Sequence, residues 1–145
     1  MANNKKLGLH DRYGGYALIT GGARGIGRAF AQYLAEEGFD LLVVDREGQE
    51  AHALAEELHA AHGIDARAIV YDLSEDGLVE KAGEWANRYE IGLLINNEGI
   101  SPMDPFFDIS LEAHLTTLDL NCRATLILTH TIGRTMATRG RGAVI

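Results

Sequence analysis

The sequence of 145 residues predicts an α/β fold, a doubly wound parallel sheet that is covered by helices on both faces. Three observations predict it. Short apolar segments alternate with amphipathic helical stretches, a glycine-rich turn follows the first apolar segment, and residues 41–44 are apolar throughout, as in a strand buried on both faces. We expect a single domain at residues 14–145 that ends soon after its fifth strand begins, preceded by a flexible N-terminal tail at residues 1–13.

The first half of the chain supplies three predicted strands and two predicted helices. The helices are marked by apolar side chains on one face, and a glycine, Gly38 or Gly63, follows each of them and can end it. The strands are short apolar segments. In chain order, we predict a strand at residues 16–20, a helix at 28–37, a strand at 41–44, a helix at 49–62 and a strand at 66–71.

The second half of the chain continues the alternation of strand and helix. Ser74 offers an N-cap oxygen for a third helix, and Ser110 offers one for a long fourth helix. The third helix is marked by an apolar stripe at helical spacing, which consists of Leu78, Ala82, Trp85 and Tyr89. We predict the remaining elements at residues 92–95 (strand), 111–139 (helix) and 143–145 (the start of a fifth strand).

Charge and composition argue against several classes of function. The chain has 13 basic and 21 acidic residues, a net charge of −8, and so lacks the basic surface that nucleic-acid binding needs. Its start is polar and no run approaches a membrane span, so we expect neither a secretory signal nor a membrane partner. Cys122 is the only cysteine, which indicates a reducing, cytoplasmic setting, and we expect its side chain to be buried. His52, His59 and His62 share one predicted helix, where we expect a solvated face and no metal.

A glycine-rich turn separates the first predicted strand from the first predicted helix. It reads TGGARGIG at residues 20–27, with the spacing G-x-x-x-G-x-G. Amides at the start of a helix have no partner within the helix, and the helix dipole favours an anion there. Gly21 permits a sharp turn, Gly25 lets the backbone approach a pyrophosphate, and Gly27 lets the helix pack close to the strand. The flanking strand and helix favour a dinucleotide site over an ordinary glycine-rich turn.

An acidic residue follows this turn at the distance that a dinucleotide site requires. Asp45 ends the second predicted strand, 18 residues after Gly27, where it can accept hydrogen bonds from the adenosine ribose and repel a 2′-phosphate. Asp45 therefore favours NAD. Arg24 or Arg46 could instead bind a 2′-phosphate, so NADP is the alternative, although Arg46 also fits a solvated loop position. Asp72, at the end of the third strand, either accepts a hydrogen bond from the adenine amino group or is an ordinary loop acid.

These motifs, taken in order, resemble those of the short-chain dehydrogenase/reductase family. The resemblance implies a Rossmann-like fold and hydride transfer between NAD(P)(H) and an alcohol or carbonyl substrate, with the dinucleotide lying across the carboxyl ends of the strands. It runs from about residue 16 to the end of the chain. The matching pieces are TGGARGIG at residues 20–27, Asp45, Asp72-Leu73, Asn96-Asn97-Glu98-Gly99 and Asn121.

The resemblance also implies roles for individual residues. Asn121 matches a position that the family associates with a proton-relay water near the active site. Its structural alternative is a side chain that bonds nearby backbone and bends the helix. The other matching residues would lie along the cofactor: Gly21, Gly25 and Ile26 at the pyrophosphate, Asp45 at the ribose, Asp72 and Leu73 at the adenine, and Asn97 and Gly99 after the fourth strand.

Two features depart from the family pattern. The family has Asn-Asn-Ala-Gly after the fourth strand, and here Glu98 replaces the alanine. Its carboxylate would lie near a doubly negative pyrophosphate unless Arg24 or another base pairs with it or it turns to solvent. The family's catalytic Ser and Tyr-x-x-x-Lys would follow the strand that begins near residue 143, and no tyrosine among these 145 residues has a lysine four positions later. We therefore expect the chain to supply the cofactor-binding half of the enzyme and to be inactive alone, because proton transfer needs a positioned acid.

The alternative is a non-catalytic nucleotide-binding or protein-interaction module. The long predicted helix at residues 111–139 carries apolar side chains that would be exposed without further neighbours, so we expect homo-oligomerisation through this helix. The candidate contact residues are Leu115, Leu118, Ile127 and Leu128.

Overall fold

A parallel sheet with helices on both faces organises the computed structural model, which describes residues 8–145. The strands are β1 (Tyr16–Thr20), β2 (Asp40–Asp45), β3 (Ala66–Val70), β4 (Ile91–Ile95) and β5 (Ala143–Val144). They lie in the order β3-β2-β1-β4-β5, and every neighbouring pair is parallel. The predicted doubly wound fold is therefore confirmed.

The helices that follow β1 connect the strands and end close to the predicted positions, and one further helix, α1, precedes β1. They are α1 (Leu9–Tyr13), α2 (Gly25–Glu36), α3 (Gly48–His62), α4 (Leu78–Arg88), α5 (Leu111–Leu118) and α6 (Thr125–Arg139). A π-helical segment, Asp119–Ala124, joins α5 to α6 without a break. Helix α2 begins at Gly25 instead of residue 28, so part of the glycine turn belongs to its first turn.

Two apolar layers, one on each face of the sheet, hold the helices. Leu41 and Val43 of β2 pack with α2 and α3, whereas Leu42 and Val44 pack with α4 and α6. All four side chains are fully buried, as expected for a strand covered on both faces. Each contributes about 1.5–3 kcal/mol to folding. Packing from both sides therefore fixes where the carboxyl end of β2 lies.

The N-terminal segment differs from its prediction as a flexible tail. Residues 9–13 form helix α1, and Leu9 and Tyr13 pack against the α2/α3 side of the core. The ring of His10 contacts the buried ring of Phe39 edge-on, with 5.2 Å between centroids. The prediction is wrong for these residues because three side chains of the helix find apolar or aromatic partners. Residues 1–7 of the predicted tail lie outside the described residues.

The helix predicted at residues 111–139 is present as α5, the π-helical segment and α6. Oγ of Ser110 accepts a hydrogen bond from the amide of Ala113 at 3.1 Å, which confirms the predicted N-cap. Ser74, by contrast, does not cap α4, which begins only at Leu78. The hydroxyl of Ser74 donates to Oδ1 of Asp72 at 2.6 Å, so the serine belongs to the loop that precedes the helix.

The π-helical segment exposes the cysteine that was expected to be buried. Leu120 and Ala124 are the residues of this segment that face the sheet. Cys122 lies midway between them in sequence and thus on the opposite side of the helix, where it is exposed. The prediction of a buried Cys122 is therefore wrong.

The candidate contact residues of the long helix divide into two pairs. Leu115 and Leu118 are 52% and 57% exposed, as expected for contact residues. Leu128 is 1% exposed and Ile127 is partly buried, because both pack in the core beside α4. The prediction that Ile127 and Leu128 belong to an exposed contact surface is wrong.

Within residues 8–145, no helix is long and apolar enough to cross a membrane.

Candidate functional site

The candidate site lies where the carboxyl ends of β1 to β4 meet at one edge of the sheet. Strand β1 is central, and the chain leaves it in one direction to β2 and β3 and in the other to β4. Ligands of doubly wound folds bind at such a switch point, in the crevice outside the strand ends. One cleft there brings together Asp45, Arg46, Asp72, Leu73 and Glu98, together with Val44, Tyr71 and Leu120.

The glycine turn presents the start of α2 to this crevice. Arg24 holds the N-cap position and makes no side-chain hydrogen bond to the first amides of the helix. Those amides, which include that of the exposed Ile26, therefore have no partner within the helix. Gly25 has a φ of 52°, and a Cβ there would face open space. The turn thus offers accessible N–H donors at the positive end of a helix dipole, which suits a phosphate.

Gly27 holds the turn and the helix in direct contact. A Cβ at this position would overlap the carbonyl oxygen of Gly21 and would also lie 2.6 Å from Nδ2 of Asn97. Any other residue would push α2 away from the turn. The sequence-based expectation that Gly27 allows close packing agrees with this geometry, although the contact is with the turn and the loop after β4 and not only with the strand.

Asp45 ends β2 and is buried, and its carboxylate already binds two backbone amides. Oδ2 accepts a hydrogen bond from the amide of Ala23 at 3.0 Å, and Oδ1 accepts one from the amide of Glu47 at 3.0 Å. The first bond fixes the glycine turn to the end of β2. Each carboxylate oxygen can accept more than one hydrogen bond, so this role leaves capacity for ribose hydroxyls. Sequence reasoning missed the first role because Ala23 carries no recognisable signal.

Asp72 and Leu73 follow β3 on the adjacent side of the cleft. Oδ1 of Asp72 accepts hydrogen bonds from the amide of Ser74 at 2.9 Å and from its hydroxyl at 2.6 Å. These bonds to Ser74 hold the pKa of Asp72 below its usual value. The side chain of Leu73 is buried in the core. Oδ1 of Asp72 thus holds the loop after β3, and Oδ2 accepts no hydrogen bond from the described residues.

The two arginines that could bind a 2′-phosphate have carboxylate partners. Arg24 forms an ion pair with Glu50 of α3, and Nε of Arg46 lies 3.6 Å from Oε1 of Glu47. Hydrogen bonding to Glu50 also raises the pKa of Arg24. Both guanidinium groups are largely exposed, so these pairs are weak and can exchange. The structure does not pair Arg24 with Glu98, which was one of the expected arrangements.

Thr20 connects the glycine turn to the loop after β4, a role that the sequence did not reveal. Its hydroxyl accepts the amides of Asn97 and Glu98, each at 3.0 Å, and donates to the carbonyl oxygen of Ile95 at 3.3 Å. The Asn97 side chain completes the connection by donating to the carbonyl oxygens of Thr20 at 3.0 Å and Gly21 at 3.1 Å. The side chain of Asn97 therefore holds the backbone of the turn. Asn97 is near the cleft because it belongs to the loop after β4, and its side chain does not line the cleft.

Glu98 carries the carboxylate that departs from the family pattern. The residue is partly buried and lies in the cleft beside Asp45 and Asp72. Burial raises the pKa of Glu98, and the charge of Asp45 raises it further. The side chain therefore faces the crevice and has not turned away to solvent.

Asn121 holds the end of the same loop from the π-helical segment. Its Oδ1 accepts the amide of Ile100 at 2.9 Å, and its Nδ2 donates to the carbonyl oxygen of Ile100 at 2.8 Å. A Cβ on Gly99 would lie 3.1 Å from that Oδ1, so the loop passes close to the helix. The structural alternative had assumed that the Asn121 side chain bonds nearby backbone and bends the helix. Instead, it bonds the loop after β4. Short π-helical segments often occur at functional sites.

Comparisons with known proteins agree with this arrangement. A family model described as short chain dehydrogenase matches residues 15–145. The chain is 32% identical over 145 residues to a very-long-chain 3-oxoacyl-CoA reductase of Pyricularia oryzae, an alignment that covers 96% of this chain and 44% of that protein. It is 34% identical over 131 residues to a sorbitol dehydrogenase of Cereibacter sphaeroides, which covers 89% of this chain and 50% of that protein.

A solved structure gives the same picture of the fold. The chain is similar to a short-chain dehydrogenase of Sphingobium yanoikuyae, whose structure is a complex with NADPH, with a TM-score of 0.85 and 29% identity. The match covers 89% of this chain and 51% of that one. The chain thus spans about half the length of the relatives that it matches.

Proposed function

This chain belongs to the short-chain dehydrogenase family, and on that premise we propose that it forms the domain at residues 14–145 that binds a nicotinamide dinucleotide in an oxidoreductase. The reaction is hydride transfer between NAD(P)(H) and an alcohol or carbonyl substrate, with the bound nicotinamide as the hydride donor or acceptor. One observation carries the proposal: the amides at the start of α2 face the switch point of the sheet, and Asp45 fixes the turn beside them.

The residues of the crevice fit a dinucleotide in four respects. The first amides of α2 offer N–H donors for the pyrophosphate, with Gly25 leaving space in front of them. Asp45 retains acceptor capacity for ribose hydroxyls. The adenine would lie between the ends of β2 and β3, beside Asp72 and Leu73, whose cleft also contains Arg46. Asn97 and Gly99 border the path of the cofactor after β4.

We propose NAD as the cofactor, with NADP as the alternative. Asp45 would repel a 2′-phosphate, because two negative charges in a partly buried cleft are poorly screened. The engagement of Arg24 with Glu50 and the proximity of Arg46 to Glu47 support the same preference.

Asn121 is the proposed contribution of this chain to catalysis. By fixing both backbone groups of Ile100, it holds the loop that borders the cofactor in one position. Its proposed role is to hold a water of the proton relay from the π-helical segment. The 145 residues contain no Tyr-x-x-x-Lys to act as acid and base, so we expect the purified chain to bind dinucleotide without turning substrate over.

A second proposed property is assembly of the chain with copies of itself through the long helix. Four leucines of α5 and α6 are more than half exposed, and three of them recur at i, i+4 and i+7 on one helix face, as in an apolar patch that marks an interaction site. They are Leu111, Leu115, Leu118 and Leu126. Light scattering over a dilution series tests this property, and a monomer at every concentration would contradict it.

The proposed location is the cytoplasm, because a single cysteine suits a reducing compartment.

Calorimetric titration of the chain with NADH and NADPH tests the proposed function, with Gly25→Asp as the disruptive variant. The new carboxylate would stand in the open space before the α2 amides and repel the pyrophosphate, so we expect no measurable binding. Gly63→Asp is the matched control, because Gly63 also has a positive φ, of 69°, and faces open space, but it lies at the end of α3, outside the crevice. Thermal melting separates lost binding from lost folding. Undiminished NADH binding by Gly25→Asp would contradict the proposal.

A further inference from the structure

A carboxylate without a partner lies against the glycine turn. The amide of Glu98 donates a hydrogen bond to Oγ1 of Thr20, with 3.0 Å between nitrogen and oxygen. This bond fixes the backbone from which the Glu98 side chain extends. The side chain extends over Gly21, where an added Cβ would overlap Oε2 of Glu98. Across residues 8–145, no ion pair includes Glu98, and its carboxylate has no hydrogen-bond donor. This carboxylate therefore faces the region where the phosphates are proposed to bind.

The charges around Glu98 are mostly negative. Asp45 stands at the end of β2 and Asp72 at the end of β3, and Arg46 supplies the opposing positive charge. Burial raises the pKa of Glu98, the charges of Asp45 and Asp72 raise it too, and Arg46 lowers it. Asp45 and Asp72 each accept two hydrogen bonds, whereas the Glu98 carboxylate accepts none within the described chain. Glu98 is thus the acid of this cleft whose negative charge is least compensated.

We propose that Glu98 is a specificity-determining residue, which selects nucleotides by their phosphate charge and favours the dinucleotide with fewer negative charges. The inference rests on the proposed function, because that function places the phosphates beside Gly21. An ionised carboxylate opposes every phosphate charge that enters the cleft, and a 2′-phosphate adds further negative charge. An alanine at this position would exert no such repulsion. Glu98 therefore adds to the discrimination by Asp45, from the opposite side of the crevice.

Equilibrium titration of the full chain with adenosine, NADH and NADPH tests this inference. Glu98→Gln keeps the shape of the side chain and removes its charge. We expect it to strengthen NADPH binding on the order of tenfold, to strengthen NADH binding less, and to leave adenosine binding unchanged. Lowering the pH should bring the wild-type affinities towards those of Glu98→Gln, because the raised pKa allows Glu98 to take up a proton. Glu56→Gln, on the exposed face of α3, is the control and should change nothing.

The possible outcomes separate this inference from the proposed function. If the wild type binds NADH and Glu98→Gln leaves all three affinities unchanged, charge selection is wrong and the dinucleotide site stands. If neither the wild type nor any variant binds a nucleotide while remaining folded, the proposed function fails and this inference fails with it. Glu98→Ala serves as a second variant. If Glu98→Ala strengthens the binding of all three ligands equally, including uncharged adenosine, the Glu98 side chain acts by its bulk. Charge selection is then refuted.

Discussion

The hydroxyl of Thr20 connects the two loops that form the crevice, and replacing it by valine isolates that connection. Thr20 is 2% exposed, and Thr20→Val keeps its branched shape, so no cavity forms. The substitution leaves the amides of Asn97 and Glu98 without the acceptor that both now share at 3.0 Å. An unsatisfied buried donor costs about 1–3 kcal/mol. Because these amides are only partly buried, we take about 1–2 kcal/mol for each. For the two amides together, we expect the free energy of unfolding to fall by about 2–4 kcal/mol.

Urea unfolding followed by circular dichroism measures this loss. A typical domain has about 5–15 kcal/mol of unfolding free energy, so the change is large enough to shift the midpoint clearly. Thr20→Ser is the matched control, since it keeps the hydroxyl and removes one methyl group, at a cost of about 1 kcal/mol. We also expect Thr20→Val to weaken NADH binding at concentrations of urea where it is fully folded. If the valine variant is as stable as the serine variant, the hydroxyl does not hold the two loops together.

Two further predictions concern Asp45 and Tyr16. Asp45→Asn should reduce the preference for NADH over NADPH in calorimetric titration, because the neutral amide no longer repels a 2′-phosphate; an unchanged ratio would mean that Asp45 does not face the ribose. The Tyr16 hydroxyl donates to Oδ2 of Asp65 at 2.6 Å, and burial followed by this bond raises the pKa of Tyr16 from 10.0 to about 12. The stability that Tyr16 contributes is present below pH 10 and is lost as the pH rises through about 12. Tyr16→Phe should therefore flatten the pH dependence of unfolding free energy in this alkaline range, and an identical slope in both proteins would refute the assignment.

The sequence predicted those features of the fold that depend on local patterns. Residues 41–44 are apolar without alternation, which sufficed to place β2 inside a parallel sheet. The glycine spacing at residues 20–27 sufficed to place the turn before α2. Ser110 was recognised as an N-cap because its partner lies only three residues away. In each case, the signal and its physical cause lie within one segment of the chain.

The features that the sequence did not predict depend on contacts between distant segments. Thr20 and Asn97 are separated by 77 positions, and no pattern in either segment indicates their hydrogen bond. The bond between Asp45 and the amide of Ala23 is equally invisible, because every residue has a backbone amide. The side of the helix on which Cys122 lies depends on the phase of the helix relative to the sheet. A composition rule for cysteines carries no information about that phase.

The contact between Gly27 and Gly21 has a consequence for the thermodynamics of binding. No side chain of Gly21 or Gly27 separates turn and helix at this point, and the Asn97 amide beside them is itself held by its hydrogen bonds to the carbonyl oxygens of Thr20 and Gly21. The donor amides at the start of α2 are thereby ordered when the chain folds and not when a ligand arrives. Association with an anion then costs little backbone entropy, and the rigid arrangement of donors discriminates between anions by shape.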